Sequence, residues 1–336
     1  MNLVVTGGAG YIGSVVTSQL LDAGHQVTVV DDLSTGHRDA VPEGADFVQA
    51  RIHDAAGFLS PDVEGVLHFA AKSLVAESVE RPELYWENNV VGTYALLEAV
   101  RAHGIPRFVF SSTAACYGEP SVSPITEDVT PAPINPYGHS KFAVDQMLTG
   151  YCAAHGLGAT SLRYFNVGGA RGRFGERHAI ETHLIPNLLK VPAGQRERAA
   201  IFGTDYPTPD GTAVRDYLHV VDLGRAHLLA LEASEPGRHR IVNLGSGTGY
   251  SVREVLDACR EVTAHELPAD EHPRRPGDPA TLVASYDRAL SELGWKPELG
   301  LREIVTDAWA FMSSGAAADH ALTSDAGRSE SFGSGS

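Results

Sequence analysis

Two side chains four residues apart, Tyr137 and Lys141, have the types and spacing to do acid–base chemistry. At a helix start they share one helix face. A phenol of ordinary pKa ~10 is a poor base at neutral pH. A nearby ammonium and a positively charged nicotinamide would both favour the phenolate. Tyr137 is then a candidate acid/base for a hydroxyl being oxidised. Taken alone, Tyr-x-x-x-Lys is a common pattern on solvated helices. It gains weight because the strand upstream ends in Ser111-Ser112-Thr113, and a hydroxyl there can hydrogen-bond the reacting oxygen.

A second constellation lies at the N-terminus. Gly7, Gly10 and Gly13 follow a short apolar run and open a helical pattern. Such glycines allow a tight turn and let backbone N–H groups approach a pyrophosphate, with the helix dipole favouring the anion. Asp31 ends the second β-branched run, 18 residues after Gly13. An acid there accepts hydrogen bonds from the adenosine ribose and repels a 2′-phosphate, so NAD is expected over NADP. Asp32 competes for that role, or serves as a turn residue. The glycines sit in a strand–helix–strand unit, the context in which the triplet predicts dinucleotide binding.

The elements that position these residues alternate. Strands are expected at residues 3–5, 27–30, 66–70, 107–111 and 160–165. Long helices are expected at 83–102 and 137–155. Alternation of this kind predicts an α/β fold with a doubly wound parallel sheet covered on both faces. After Asn166 the pattern loosens, and the runs at 200–202 and 241–244 stand isolated. The expected division is a Rossmann-type NAD-binding domain at 1–166, to which later segments can return, and a smaller α/β lobe at 167–312. Residues 313–336 are small and polar, the composition of a disordered tail.

Composition narrows the functions. Hydrophobic residues make up 43% of the 336-residue chain, too many for disorder throughout. No apolar run is long enough for a transmembrane helix. The 42 acidic residues against 26 basic ones give −16, which disfavours nucleic acid. Cys116, Cys152 and Cys259 are odd in number and far apart, which fits a reducing compartment. The N-terminus does not read as a signal peptide, and a cytoplasmic location is expected. His265, Glu266, Glu271 and His272 fit no zinc spacing and are read as a solvated acidic loop, so no metal is expected.

Over residues 1–312 the chain resembles the extended short-chain dehydrogenase/reductases, and among them the UDP-glucose 4-epimerases. The marks are Thr6-Gly7-Gly8-Ala9-Gly10-Tyr11-Ile12-Gly13, His68-Phe69-Ala70-Ala71, Asn88-Asn89-Val90-Val91-Gly92-Thr93, Tyr137-Gly138-His139-Ser140-Lys141 and Arg163-Tyr164-Phe165-Asn166. Two further marks are more specific: the stretch from Ile201 to Tyr217, and Arg274-Arg275-Pro276-Gly277-Asp278. The resemblance implies a catalytic Thr113 beside Tyr137 and Lys141. It implies that Tyr11, Ile12, Asp31, Asp32, Leu33, Ser34, Thr35 and Gly36 hold the adenosine and pyrophosphate of NAD, with Ile52 nearby. Phe69, Ala70, Ala71, Lys72, Ser73, Asn88 and Phe165 would line the rest of that site. Asn166, His183, Ala200, Phe202, Arg215, Arg275 and Asp278 match positions that hold the UDP part of a UDP-hexose, and a homodimer is implied.

Arginines suit a diphosphate because a guanidinium binds phosphate oxygens in bidentate fashion. The structural alternative for Arg215 and Arg275 is an ion pair with Asp216 or Asp278. Arg51 stands where many relatives carry an Asp that meets the adenine, with Asp54 as a substitute. Leu282 stands where some carry a bulky Tyr, which implies tolerance of N-acetylated UDP-hexoses unless Leu282 is ordinary core. Two other functions compete. A 4,6-dehydratase of this family has Asp-Glu after its catalytic Thr, whereas Ala114-Ala115 follow Thr113 here; a decarboxylase is a further variant on the scaffold. A non-catalytic NAD-binding regulator would lack the Tyr/Lys pair that this chain keeps.

Overall fold

The computed structural model describes residues 1–275 and 278–315. The first half runs β1 (Asn2–Thr6), α1 (Tyr11–Asp22), β2 (Gln26–Asp31), β3 (Asp46–Gln49), β4 (Gly65–His68), α2 (Val75–Glu80), α3 (Pro82–Tyr85), a π-helical stretch (Trp86–Val91), α4 (Gly92–His103), β5 (Arg107–Thr113), α5 (Pro136–His155) and β6 (Gly158–Tyr164). The second runs β7 (Asn166–Gly168), α6 (Leu184–Leu189), β8 (Ala199–Phe202), β9 (Val214–Arg215), β10 (Tyr217–His219), α7 (Val220–Glu232), β11 (His239–Leu244), β12 (Tyr250–Ser251), α8 (Val252–Thr263), β13 (Ala269–His272), β14 (Thr281–Leu282), α9 (Asp287–Leu293) and α10 (Leu301–Ser313).

Side chains alternate across each strand, so a strand apolar at every position needs cover on both faces. In β1, Leu3 and Val5 enter one core while Val4 enters the other. Val109 of β5 parts from Phe108 and Phe110 in the same way. The first core is closed by α1 and α7 through Val16, Leu20, Leu223 and Ala230. The second is closed by α4 and α5 through Leu96, Leu97, Val144 and Leu148. A seven-stranded parallel sheet results, in the order β11-β6-β5-β4-β1-β2-β3. Strand order reverses between β1 and β4, and in such sheets a ligand crevice opens there, beyond the carboxyl ends of the strands.

Several elements differ from the sequence expectation. The run at 241–244 is not isolated: it lies in β11, which pairs with β6. Residues 269–272 are not a loop but β13, parallel to β8. Neither run shows a periodicity of its own, because the pairing that makes it a strand is long-range. The helix expected at 83–102 contains the π stretch. Ser313 closes α10, and the expected tail from residue 316 onward lies outside the described residues. A further core joins α6, α8 and α10 through Leu188, Leu256, Cys259 and Ile304. The three cysteines are free and buried. Among the described residues, no helix is long and apolar enough to cross a membrane.

Candidate active site

The glycine loop follows β1 directly. Gly7 has φ +75°, the left-handed region, and a Cβ there would lie 2.5 Å from the Ala70 nitrogen. A Cβ at Gly13 would lie 2.2 Å from the Gly7 carbonyl oxygen. Both positions therefore require glycine for the loop to pack against α1 and the end of β4. Gly10 is the N-cap of α1, no side chain caps that end, and its first turn holds no acid. The opening N–H groups of Tyr11, Ile12 and Gly13 have no carbonyl one turn earlier in the helix, which makes an anion site.

Asp31 closes this loop from β2. Its carboxylate is 7% exposed and accepts from the Ala9 N–H at 3.0 Å and the Leu33 N–H at 2.9 Å. Burial raises its pKa. A carboxylate has about four lone-pair sites, so acceptor capacity remains for ribose hydroxyls. Gly36 lets the loop close, because a Cβ there would sit 2.7 Å from an Asp31 oxygen. Asp32 accepts from the Ser34 N–H at 2.9 Å, its turn role. Thr35 lies with Ala9, Gly10 and Tyr11 around one cavity. The loop, its open N–H groups and the buried acid fit a dinucleotide.

At the carboxyl edge of the same sheet, α5 presents Tyr137 and Lys141. Asn135 caps it by accepting from the Gly138 N–H at 2.9 Å, and Pro136 starts the helix. Lys141 shares its face with Val144 and Leu148 and is 3% exposed. Its Nζ donates to the Ser111 carbonyl at 2.8 Å and lies 4.8 Å from the Phe110 ring centre. Burial lowers its pKa to about 8. Tyr137 lies one turn earlier. Burial pushes its phenol up to about 12, opposed by a hydrogen bond with Thr113. Thr113 also accepts from the Ala115 N–H at 3.1 Å, and Ser111 shares a hydrogen bond with Tyr164.

Asn89 connects these parts, and the sequence reading missed it. It is 2% exposed, accepts from the Lys72 N–H at 2.8 Å, and donates to the Lys72 carbonyl and the Ser140 hydroxyl, both at 3.0 Å. The π stretch widens the helix where Asn89 lies. Such bulges mark functional segments, so a polar residue breaking a helical apolar pattern was the available signal. Neighbouring Asn88 donates to Asn89 at 3.0 Å. Phe69 and Ala70 are bonded to the Thr6 carbonyl at 2.8 and 3.1 Å, which holds the segment leading to Ala71, Lys72 and Ser73 at the carboxyl end of the central strands. Ile52 is buried, in van der Waals range of Gly92 at the start of α4.

The residues expected to meet a UDP group divide. Arg215 pairs with Asp278 and also donates to the Pro279 carbonyl at 2.8 Å. Arg275 lies 4.2 Å from the Phe202 ring centre, and Ala200 is on the same strand. Asp216 is not an arginine partner: fully buried, it accepts from Ser246, Gly247 and Ala284 backbone N–H groups at 2.6–3.1 Å. Asn166 bonds the Asp216 carbonyl through its N–H at 2.9 Å. Leu282 pairs in register with Arg215 and packs against a cluster containing Tyr117 and Phe165. His183 stands at the N-cap position of α6 without a capping side-chain bond, and its Nδ1 faces Glu176.

The four residues considered for a metal at 265–272 do not converge. His272 stacks on Phe202, Glu271 pairs with Arg253, and His265 turns to the Thr263 carbonyl. Donors gather instead at Glu176, His178, Glu181 and His183. The spacing Glu-x-His-x-x-Glu-x-His was the available signal.

Comparison with known proteins gives consistent relatives. A model of the NAD dependent epimerase/dehydratase family matches residues 3–245. A UDP-glucose 4-epimerase of Corynebacterium glutamicum is 58% identical over 316 residues, covering 93% of this chain and 96% of its own. One from Streptomyces lividans is 54% identical over 318 residues, covering 93% and 96%. A crystal structure of UDP-glucose 4-epimerase from Stenotrophomonas maltophila, with bound NAD and formylated UDP-arabinopyranose, is 38% identical with a TM-score of 0.90, covering 94% of this chain and 98% of that one.

Proposed function

From the chain's membership of the NAD dependent epimerase/dehydratase family, we infer that it is a UDP-glucose 4-epimerase, an isomerase interconverting UDP-galactose and UDP-glucose. The observation that carries the reading is the convergence of Tyr137, Thr113 and Lys141 at the end of β5, on the same carboxyl edge of the sheet as the glycine loop and Asp31.

The first-turn N–H groups of α1 would hold the pyrophosphate of NAD, Asp31 its adenosine ribose, and Lys141 the nicotinamide end. Bound NAD supplies a hydride acceptor that later returns the hydride, and a positive charge that favours phenolate at Tyr137. Tyr137 takes the proton of the sugar 4-hydroxyl, and Thr113 holds the same oxygen by a hydrogen bond. The sugar becomes a 4-keto sugar, turns in the pocket, and is re-protonated by Tyr137 on the way to the epimer. Turning requires a firm grip on UDP and a loose one on the hexose. Arg215 and Arg275 are assigned to the diphosphate, with Asn166, Phe202 and Asp278 completing the UDP site. Ala114 and Ala115 follow Thr113, so the acid and base of a 4,6-dehydratase are missing from that position.

Three finer assignments belong to the same proposal. Residues 1–166 with the returning strand β11 form the NAD-binding part, and the α6–α8–α10 core the substrate lobe. Leu282 leaves room for N-acetylated UDP-hexoses. The chain is a cytoplasmic homodimer: Val75, Val79, Trp86, Val91 and Tyr94 are exposed along the helical segment 75–103, an apolar strip suited to a second copy, and the thiols are free. The test is incubation with UDP-galactose without added NAD. UDP-glucose is the expected product. A 4-keto-6-deoxy product would make the protein a dehydratase, and no product a non-catalytic binder.

A further inference from the structure

We propose that Glu176, His178, Glu181 and His183 form a structural Zn²⁺ site that clamps the loop after β7 beside the cofactor crevice. One donor atom from each residue lies within 4.8 Å of every other. Two imidazole nitrogens and two carboxylate oxygens are a donor set suited to four-coordinate zinc. Metal–ligand distances of about 2.0–2.2 Å place tetrahedral donors roughly 3.3–3.6 Å apart, within reach by side-chain rotation.

A second feature independently calls for a cation. The Glu176 and Glu181 side chains are only 7% and 4% exposed, nine-tenths buried, and their oxygens face one another across the cluster. Two buried carboxylates this close are costly unless compensated. The cations that face them from their own loop are the imidazoles: His183 Nδ1 meets Glu176 and lies 3.4 Å from Glu181, and His178 Nδ1 lies 2.9 Å from Glu176. The neighbouring guanidinium, Arg177, is engaged at 2.8 Å with Asp39. A divalent ion supplies both charges while the imidazoles act as neutral ligands.

The spacing supports the geometry. His178 Nδ1 lies 2.9 Å from Glu176 and His183 Nδ1 3.4 Å from Glu181, so each pair of residues two apart in sequence forms a claw. His183 is also the N-cap of α6, so the ion would fix the start of the substrate-lobe helix. Tyr11, on the first turn of α1, feels the charges of Glu176 and Glu181, and its hydroxyl donates to the Gly169 carbonyl at 2.6 Å. The His37 ring is bonded to the Arg177 carbonyl at 2.9 Å. The clamp would therefore lock this loop onto the glycine loop.

The test uses the untagged full-length chain, purified without chelator and dialysed against metal-free buffer. Zn²⁺ alone is titrated against a chromophoric chelator, retained metal is measured by mass spectrometry, and melting is followed with and without Zn²⁺. The expected result is a single equivalent per chain and a Zn²⁺-dependent rise in Tm. Glu181→Gln and His178→Gln should each weaken binding at least tenfold and abolish the rise, with unchanged circular dichroism. Co²⁺ should give visible d–d bands of low-coordinate nitrogen/oxygen ligation in the wild type and lose them in either variant. Retention of no stoichiometric Zn²⁺ would overturn the proposal and leave an ion-pair network of acids and protonated imidazoles. Undiminished Zn²⁺ binding in both variants would overturn it equally, by placing the ion elsewhere.

Discussion

Replacing Tyr137 by Phe removes one oxygen and leaves the ring in place. Burial holds the phenol at about 12 in the protein alone. Serving as a base near pH 8 requires bringing it down to about 8, which costs on the order of 5 kcal/mol. The positive charges of Lys141 and of bound NAD are assigned that task. Loss of a positioned acid/base costs about 10²- to 10⁴-fold in kcat, or about 2.7–5.4 kcal/mol of barrier. The folded state loses only the hydrogen bond with Thr113, about 0.5–1.5 kcal/mol, so Tm should fall by no more than about 6 °C. Turnover of UDP-galactose is followed by chromatography from pH 6 to 10, alongside circular dichroism and the NAD content of the purified protein. In the wild type kcat should rise with pH to a plateau as the phenol ionises. In Tyr137→Phe the residual rate should be low and lack that limb, with folding and NAD content unchanged. Near-normal turnover, or a persisting limb, would refute Tyr137 as the base.

Three other outcomes follow from the same geometry. Gly13→Ala puts a Cβ 2.2 Å from the Gly7 carbonyl oxygen; it should lower Tm by more than about 5 °C and deplete NAD in the purified protein, and unchanged values would show that the loop gives way. Asp31→Asn removes the charge that repels a 2′-phosphate, so the NADP-to-NAD affinity ratio measured by calorimetry should rise at least about tenfold; a constant ratio would assign the discrimination elsewhere. Leu282→Tyr should cut turnover of UDP-N-acetylglucosamine far more than that of UDP-glucose, and a parallel change in both would make Leu282 ordinary core.

Much of the site was legible because it rests on local chemistry. The glycine triplet, Asp31 and the Tyr137–Lys141 pair each depend on residues close in sequence, and their geometry follows from a turn or one helix face. The partners that hold them were less so. Asn89 links Lys72 to Ser140 across 17 and 51 residues. Asp216, expected as a possible ion-pair partner of Arg215, instead gathers N–H groups from residues 246, 247 and 284. Each such bond satisfies a buried polar group whose donor is unknown until the chain has folded.

The sequence by itself determined an alternating α/β pattern, a dinucleotide loop and the residue types of an oxidation–reduction site, because periodicity and short motifs encode them. Tertiary structure alone decided that β11 completes the sheet, that Lys141 is bonded to the Ser111 carbonyl, and that two acids and two histidines meet beside the crevice. The physical reason is the same in each case. Strand pairing, desolvation and the compensation of buried charge depend on what long-range folding brings alongside, and no local pattern records it.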